Sequence, residues 1–381
     1  DEIEFVNNIE RRNAGRIYTP FDVTNHICQN TLSPLVQALT VKEELFKLRI
    51  LDPAVGSGAF LVQAFRVLVN LASERGWVLD ASEKQRLIEE VLHGIDIDEF
   101  AANTSMLVLW IEAKGDAVNL APSISVGDTL VLGPQPVHSK WEKMFGITMN
   151  RSGYDVVIGN PPYVQVKPDD YPEFILSNAR NLYALFVELG LSITNKSGIF
   201  SMIVPQSLMV SKNGSEVRKH LLKLDGRIEF QVFDSVPDFL FDQGKIEKNT
   251  NTNINQRTVI VTVDLGRPKG VNTSSLLRWR RGERNELFNN LKLVEIDLSD
   301  VTNDRIPMLY DSKGLNLLKS LRSITSKIED YDSDDGIDLY LTKAVRYFIT
   351  ALPTSLGRKN SMKISVPADI FPVIHVLLNS N

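Results

Sequence analysis

An open α/β sheet is the fold this sequence predicts, and three features of the 381-residue chain predict it. Short runs of apolar and β-branched residues alternate with segments of helical periodicity from Leu48 to Asp264. The first run, Leu48 to Asp52, leads through the small-residue loop Pro53-Ala54-Val55-Gly56-Ser57-Gly58 into an apolar helix beginning at Ala59. Three successive strands end in an acid, at Asp52, Asp96 and Asp128, and the next ends in Asn160-Pro161-Pro162-Tyr163. Polar side chains therefore gather at the carboxyl edge of the sheet, where ligands sit in open α/β folds.

The elements follow in order. Asp1 to Arg12 reads as the end of a helix, Gly15 to Phe21 as a loop, and Asp22 to Leu39 as a helix with Pro20 suited to its first turn. After the helix Ala59 to Ala72, Val91 to Ile97 is the second strand and Ala101 to Ala113 the next helix, with Asp98 as its cap. Ser125-Val126-Gly127-Asp128 ends a third strand, and Pro134 to Arg151 is a connection anchored by Trp141 and Phe145. Tyr154 to Ile158 is a short β-branched strand that Gly159 terminates. Val164 to Asn178 is polar and proline-punctuated, a loop that could order on substrate binding. A helix Asn181 to Ile193, a strand Ser197 to Val204, a basic helix Ser211 to Leu222 and strands Arg227 to Phe233 and Thr258 to Asp264 complete the pattern. An asparagine-rich loop, Asp242 to Gln256, separates the last two. From about Gly266 the alternation lapses, and the acidic run Glu329 to Asp338 reads as an exposed linker. The domains expected are 1–265 for the sheet, 266–341 for a connecting region and 342–381 for the start of a target-recognition or C-terminal domain that is cut short.

Composition narrows the classes. A hydrophobic content of 43% fits a globular protein with a core, and no apolar run approaches the roughly 18 residues of a membrane span. The amino terminus lacks a secretory pattern, and the single cysteine, Cys28, excludes an internal disulfide framework and suits a reducing compartment, so a cytoplasmic protein is expected. The five histidines have no metal-ligand spacing, and no metal is predicted. A net charge of -5 argues against a simple nucleic-acid coat protein. Arg278 to Arg284 and the acid-free stretch Leu339 to Ala368, with Lys343, Arg346, Arg358, Lys359 and Lys363, are either phosphate-tracking surfaces or solvated faces. The chain opens on Asp1 and closes in the apolar Phe371 to Leu378, so a fragment of a longer polypeptide is expected.

The tetrad Asn160 to Tyr163 carries the chemistry. Two prolines fix φ and remove two backbone donors, leaving carbonyl oxygens without competing N–H groups, and Asn160 adds a side-chain carbonyl. Two acceptors converging on one exocyclic NH2 would hold its hydrogens and free the nitrogen lone pair to attack. Tyr163 could stack on the ring bearing that amine, for about 1–3 kcal/mol per base. A Pro-Pro turn beside a half-buried core tyrosine is the alternative. Asp52 at the head of the glycine loop would repel a pyrophosphate and suit an ammonium, which points to a nucleoside bearing an amino acid, or else the loop only packs helix on strand. Asp96 is placed for two ribose hydroxyls and Asp128 for an adenine amine, while Leu182 and Phe186 either wall a nucleoside or fill the core.

Together these pieces resemble the gamma-class amino-methyltransferases that methylate adenine in DNA, particularly those of type IIG restriction-modification and phage-defence systems. Tyr18-Thr19-Pro20, Asp52 to Phe60, Gly94 to Asp98, Gly127-Asp128, Asn160 to Tyr163 and Asn181 to Phe186 match the family's motifs in its order, across about Gly15 to Asp264. The resemblance implies a Rossmann-like, class I S-adenosylmethionine-dependent fold with a mixed seven-stranded sheet and helices on both faces. It implies that Thr19, Pro20, Asp52, Pro53, Gly56 and Gly58 meet the cofactor's methionine part. Asp96 would meet its ribose, and Ile97, Asp128, Leu182 and Phe186 its adenine. Asn160 and the Pro161 carbonyl would accept from the target amine, with Pro162 shaping the loop and Tyr163 stacking on a base flipped out of double-stranded DNA. Val55 stands where the family often has cysteine, in a loop read through its backbone. The family's second aromatic shelf falls in the asparagine-rich loop here, and Phe239 or Phe241 would have to reach round instead. Glutamine methylation in proteins and adenine methylation in RNA use the same acceptor pair, and a recognition subunit could keep the fold without the chemistry. No nuclease constellation is present, so a nuclease or target-recognition domain would be fused outside this stretch.

Overall fold

A computed structural model describes residues 19–113, 122–134, 141–143, 153–241, 256–301, 305–323, 337–342, 351–352 and 361–367. The expected first helix, Tyr18, Phe145, most of the asparagine-rich loop and Lys343, Arg346, Arg358 and Lys359 lie outside these residues. Two compact units are present, Asp1–Gly314 and Leu315–Asn381.

The first unit begins with α1 (Phe21–Ala38), an amphipathic helix that buries Val23, Ile27, Thr31 and Leu32. β1 (Ile50–Asp52) then runs through the glycine loop into α2 (Ala59–Glu74). A short α3 (Ala81–Arg86), which the sequence reading did not foresee, opens on an Asp80 cap that accepts from the Glu83 N–H at 2.8 Å. β2 (Leu92–Asp96), α4 (Glu99–Glu112) and β3 (Ser123–Val126) follow, with Asp98 capping α4 as expected. Next in this unit come β4 (Tyr154–Gly159), α5 (Leu182–Ile193), β5 (Thr194–Pro205), α6 (Ser215–Lys223), β6 (Arg227–Phe233), β7 (Thr258–Asp264), β8 (Gly270–Leu277) and β9 (Leu293–Ile296).

Among the described residues the strands of this unit form one mixed sheet in the order β3-β2-β1-β4-β5-β7-β6-β8-β9. The expected count of seven strands is corrected to nine. β8 escapes an apolar search because polar residues fill its inward positions: Thr273 and Ser274 are fully buried, and Ser274 Oγ accepts the Val232 N–H at 2.9 Å. β9 pairs with it over only four residues.

Alternate strand residues supply two cores. Ile50, Val156, Ile158, Ile203 and Ile260 join α1 and α2 in one cluster. On the opposite face α5 lies so close that a Cβ on Gly190 would come within 2.6 Å of the Phe200 ring, so only glycine permits the approach. The antiparallel β7 decides the shape of the working edge. Its first residue, Thr258, stands opposite both Pro205 at the end of β5 and Phe233 at the end of β6. Segments 234–241 and 256–257 therefore return to the edge that carries Asn160.

In the second unit β10 (Ile337–Thr342), β11 (Ala351–Leu352) and β12 (Ser361–Val366) form an antiparallel sheet in the order β11-β10-β12. Lys363 there pairs with Asp338 at 3.0 Å. Among the described residues no helix is long and apolar enough to cross a membrane.

Candidate active site

The glycine loop is built to be approached. Gly56 and Gly58 have φ of +54° and +86°, the left-handed region that side chains disfavour. A Cβ on Gly56 would meet nothing within 4 Å, so its backbone faces open space, whereas one on Gly58 would strike Ser105 Oγ at 2.6 Å. Asp96 holds the loop in place: Oδ2 accepts the Gly56 N–H at 2.8 Å and Oδ1 the Asp98 N–H at 2.9 Å. Thr129, just past Asp128, donates to the Pro53 carbonyl at 2.6 Å and ties the third strand's end to the same loop.

Asp52 closes the floor of this cradle, buried at 1% exposure. Its Oδ1 accepts the Ala54 N–H at 3.1 Å, while its buried Oδ2 has no partner among the described residues. Burial, against the opposing Ala54 bond and with a further push from the Asp96 carboxylate, raises its carboxyl to about 8. A buried carboxylate oxygen without a donor, beside an open glycine backbone, suits a cationic ligand group. Gly159 brings the next strand end alongside, since a Cβ there would lie 2.8 Å from Asp52 Oδ1.

Asn160 emerges directly after Gly159. Its Nδ2 donates to Thr19 Oγ1 at 3.0 Å, and its carbonyl oxygen is buried without a partner among the described residues. The Thr19 hydroxyl therefore fixes which way the amide faces and leaves the acceptor for something absent from the fold. Pro161 is buried, and Pro162 and Tyr163 are half-buried. The Tyr163 hydroxyl donates to the Ile203 carbonyl on β5 at 2.8 Å, and burial pushes its pKa far above the ordinary range. That hydroxyl is an anchor for the ring and cannot serve as a base near neutrality.

The other expected positions divide by exposure. Ile97 and Asp128 are exposed on the rim, with Asp128 Oδ1 accepting the Leu130 N–H at 2.9 Å. Pro20 is buried at the head of α1, Leu182 is half-buried, and Phe186 lies in the core at 7% exposure. The segment after Tyr163 is pinned at several points. Gln165 bridges Asn181, Leu182 N–H bonds the Val164 carbonyl at 2.9 Å, and buried Glu188 accepts from the Ile175 and Leu176 N–H groups at 3.1 and 2.7 Å. Phe241 packs on the main core, and Phe239 is half-buried with its carbonyl accepting from Arg284 at 3.3 Å.

The arginine-rich stretch is partly structural. Trp279 is buried edge-on to Phe233, and Arg284 forks onto both oxygens of Asp22 at 2.8 and 3.0 Å. Sequence reasoning missed two features of this edge. The Thr19–Asn160 bond joins residues 141 apart and leaves no local signal. Asp234, buried beyond the end of β6, carries the same signal as Asp52 and Asp96, an acid closing a strand.

The strand order, the glycine cradle and the polar tetrad at one sheet edge define a Rossmann-like class I methyltransferase fold. It is shared with a nuclease-deletion form of the type ISP restriction-modification enzyme LlaGI, solved with a DNA substrate mimic, at a TM-score of 0.58 and 15% identity. That superposition covers 86% of this chain and 29% of the other. Residues 90–235 match the Eco57I restriction-modification methylase family, and the resemblance drawn from the motifs holds. The chain is 30% identical over 187 residues to the adenine-specific methyltransferase PglX of Streptomyces coelicolor, covering 41% of this chain and 15% of that protein. It is 24% identical over 246 residues to the type II restriction enzyme and methyltransferase RM.Eco57I of Escherichia coli, covering 54% and 24%. The chain thus spans a quarter or less of these relatives.

Proposed function

We propose that this chain is the methyl-transferring part of a site-specific DNA adenine methyltransferase, the modification half of a restriction-modification enzyme. Its substrates on this reading are S-adenosylmethionine and an adenine flipped from double-stranded DNA. The observation that carries it is the buried, unpartnered carbonyl oxygen of Asn160, turned by Thr19 and followed by the Pro161 carbonyl. S-adenosylmethionine, when bound, supplies an electrophilic methyl group. Asp52 would hold its ammonium, Gly56 and Gly58 would let it approach the loop backbone, and Asp96, Ile97 and Asp128 would meet the adenosine part. Asn160 and Pro161 would accept the two N6 hydrogens of the target, concentrating the lone pair on nitrogen, and the Tyr163 ring would stack on the base. Residues 342–381 would begin the part that reads the target sequence, with any nuclease fused elsewhere. On this reading the protein works in the cytoplasm.

The test is transfer of labelled methyl from S-adenosylmethionine to genomic DNA, total RNA and a glutamine-containing release-factor peptide. Label recovered as 6-methyladenine in DNA supports the reading. Label confined to RNA or peptide overturns it, and no label despite measurable cofactor binding identifies a recognition subunit instead.

Two substitutions probe the acceptor's setting. Thr19→Val keeps the shape but removes the partner of Asn160 Nδ2, and the single-turnover rate is expected to fall about tenfold, the value of one hydrogen bond of 1–1.5 kcal/mol. Thr19→Ser should restore it. Equal rates in all three proteins would show that the amide is oriented by something else. Tyr163→Phe is expected to keep most turnover with a stability loss of about 1 kcal/mol at the Ile203 carbonyl, whereas Tyr163→Ala should lose the stacking contribution of about 1–3 kcal/mol. Equal losses in rate would show the hydroxyl takes part in chemistry.

A further inference from the structure

Beyond the methyl-transfer site, the same sheet edge carries a second ordered charge group. Asp234 accepts from Arg257 Nε through Oδ1 at 2.7 Å, from Arg278 Nε through Oδ2 at 2.6 Å, and from its neighbour's N–H, Ser235, at 2.8 Å. These residues are far apart in sequence, with Arg257 preceding β7 and Arg278 following β8. The burial is asymmetric. The Asp234 side chain is 0% exposed, while those of Arg257 and Arg278 are 37% and 57% exposed. Here the anion lies beneath and the guanidinium groups stand outward, and among the described residues their Nη groups have no hydrogen-bond partner. Each arginine is tied to one carboxylate oxygen through Nε, which leaves its Nη groups available to a further acceptor. Exposed Arg280 and Arg281 follow, with Glu283 and Glu286 exposed on the same segment.

We propose that Asp234 presents Arg257 and Arg278 as a two-pronged clamp for the phosphate backbone of DNA flanking the base held at Asn160. This rests on the reading of DNA as the substrate. The spacing fits. β7 is two positions from β4 in the sheet and β8 is four. At about 4.8 Å per strand, the backbones of Arg257 and Arg278 lie roughly 10 and 19 Å from the strand that carries Asn160, and their guanidinium groups converge on Asp234 at the end of β6, three positions or roughly 14 Å away. Phosphates beside an extruded base lie within that span, the major groove alone being about 12 Å across. Planar guanidinium forks match phosphate oxygens in pairs, and such contacts set register without reading sequence.

The experiment measures duplex affinity by fluorescence anisotropy across a salt series, with cofactor affinity measured alongside. Arg257→Gln and Arg278→Gln are each expected to weaken binding roughly three- to tenfold at 0.1 M salt, equally for different sequences. Each should also flatten the slope of log affinity against log salt by about 0.9, and the double variant by about 1.8. Cofactor affinity should not move. The double lysine variant guards against loss of folding, because it keeps the charges: its slope should return to wild type although its affinity does not. A wild-type slope in the folded glutamine double variant overturns the clamp while leaving DNA methylation standing. A wild-type protein that binds no duplex overturns both.

Discussion

Asn160→Ala is expected to lower the methyl-transfer rate by at least about 10²–10³-fold, the scale on which removal of one preorganised polar group from a reaction site acts. Cofactor affinity should remain at the wild-type value. Asn160 Nδ2 is satisfied by Thr19 and its carbonyl oxygen by nothing in the fold, so truncation removes an acceptor that the folded state does not use. Stability should change little, because alanine gives up the Nδ2–Thr19 bond, worth about 0.5–1.5 kcal/mol, together with a buried unpaired oxygen whose desolvation costs about 1–3 kcal/mol. The combination of lost rate, retained cofactor binding and unchanged Tm is diagnostic. Retained transfer would sink the acceptor role, and a large drop in Tm would show Asn160 to be structural.

The second large effect belongs to Asp52. With its carboxyl raised from the usual 3.8 to about 8 by burial, the residue is mostly protonated at neutral pH until a cation arrives. S-adenosylmethionine binding should then release one proton, so its affinity climbs about tenfold per pH unit as pH approaches 8. Above that the ligand's own amine, with an ordinary pKa near 8, loses its charge and affinity turns down. Asp52→Asn should weaken binding by about 2–5 kcal/mol near pH 8 and flatten the rising limb. Stability runs the opposite way. The folded protein holds a proton that the unfolded chain has lost between about pH 4 and 8, so stability declines as pH rises through that window. The asparagine variant lacks the decline, and its stability advantage should widen across the same range, by on the order of 5 kcal/mol in full. Calorimetric titration at several pH values, paired with thermal melts, checks both limbs. A flat affinity profile in the wild type would exclude Asp52 as the ammonium's partner.

Much of the fold was legible because the first four strands obey one rule: short, largely apolar runs that lead into a polar residue at the sheet's carboxyl edge. Asp52, Asp96 and Asn160 stand where that rule puts them, and Asp98 caps its helix. The rule fails where burial is achieved with small hydroxyl residues, as at Thr273 and Ser274 of β8, since their satisfaction comes from cross-strand bonds that no single segment announces. It fails again for pairs made across the fold. Nothing near Asn160 names Thr19, and nothing in the arginine-rich stretch distinguishes Arg278, which meets buried Asp234, from Arg284, which meets Asp22. Composition identifies the charges, and only topology assigns their partners.

The fork from Arg284 to Asp22 joins residues 262 apart and also bonds the Leu240 carbonyl at 2.7 Å. Asp22 sits in the first turn of the helix whose leading residues place Thr19 against Asn160. On the ribosome, at roughly 5–20 residues per second, the head of that helix waits about 13–50 s for its clamp, against a microsecond or less for a helix to form and melt. Every recognisable motif has emerged well before then. A nascent chain, or a shortened gene product ending soon after β7, would thus carry every motif of the site while Asp22 still lacks its partner.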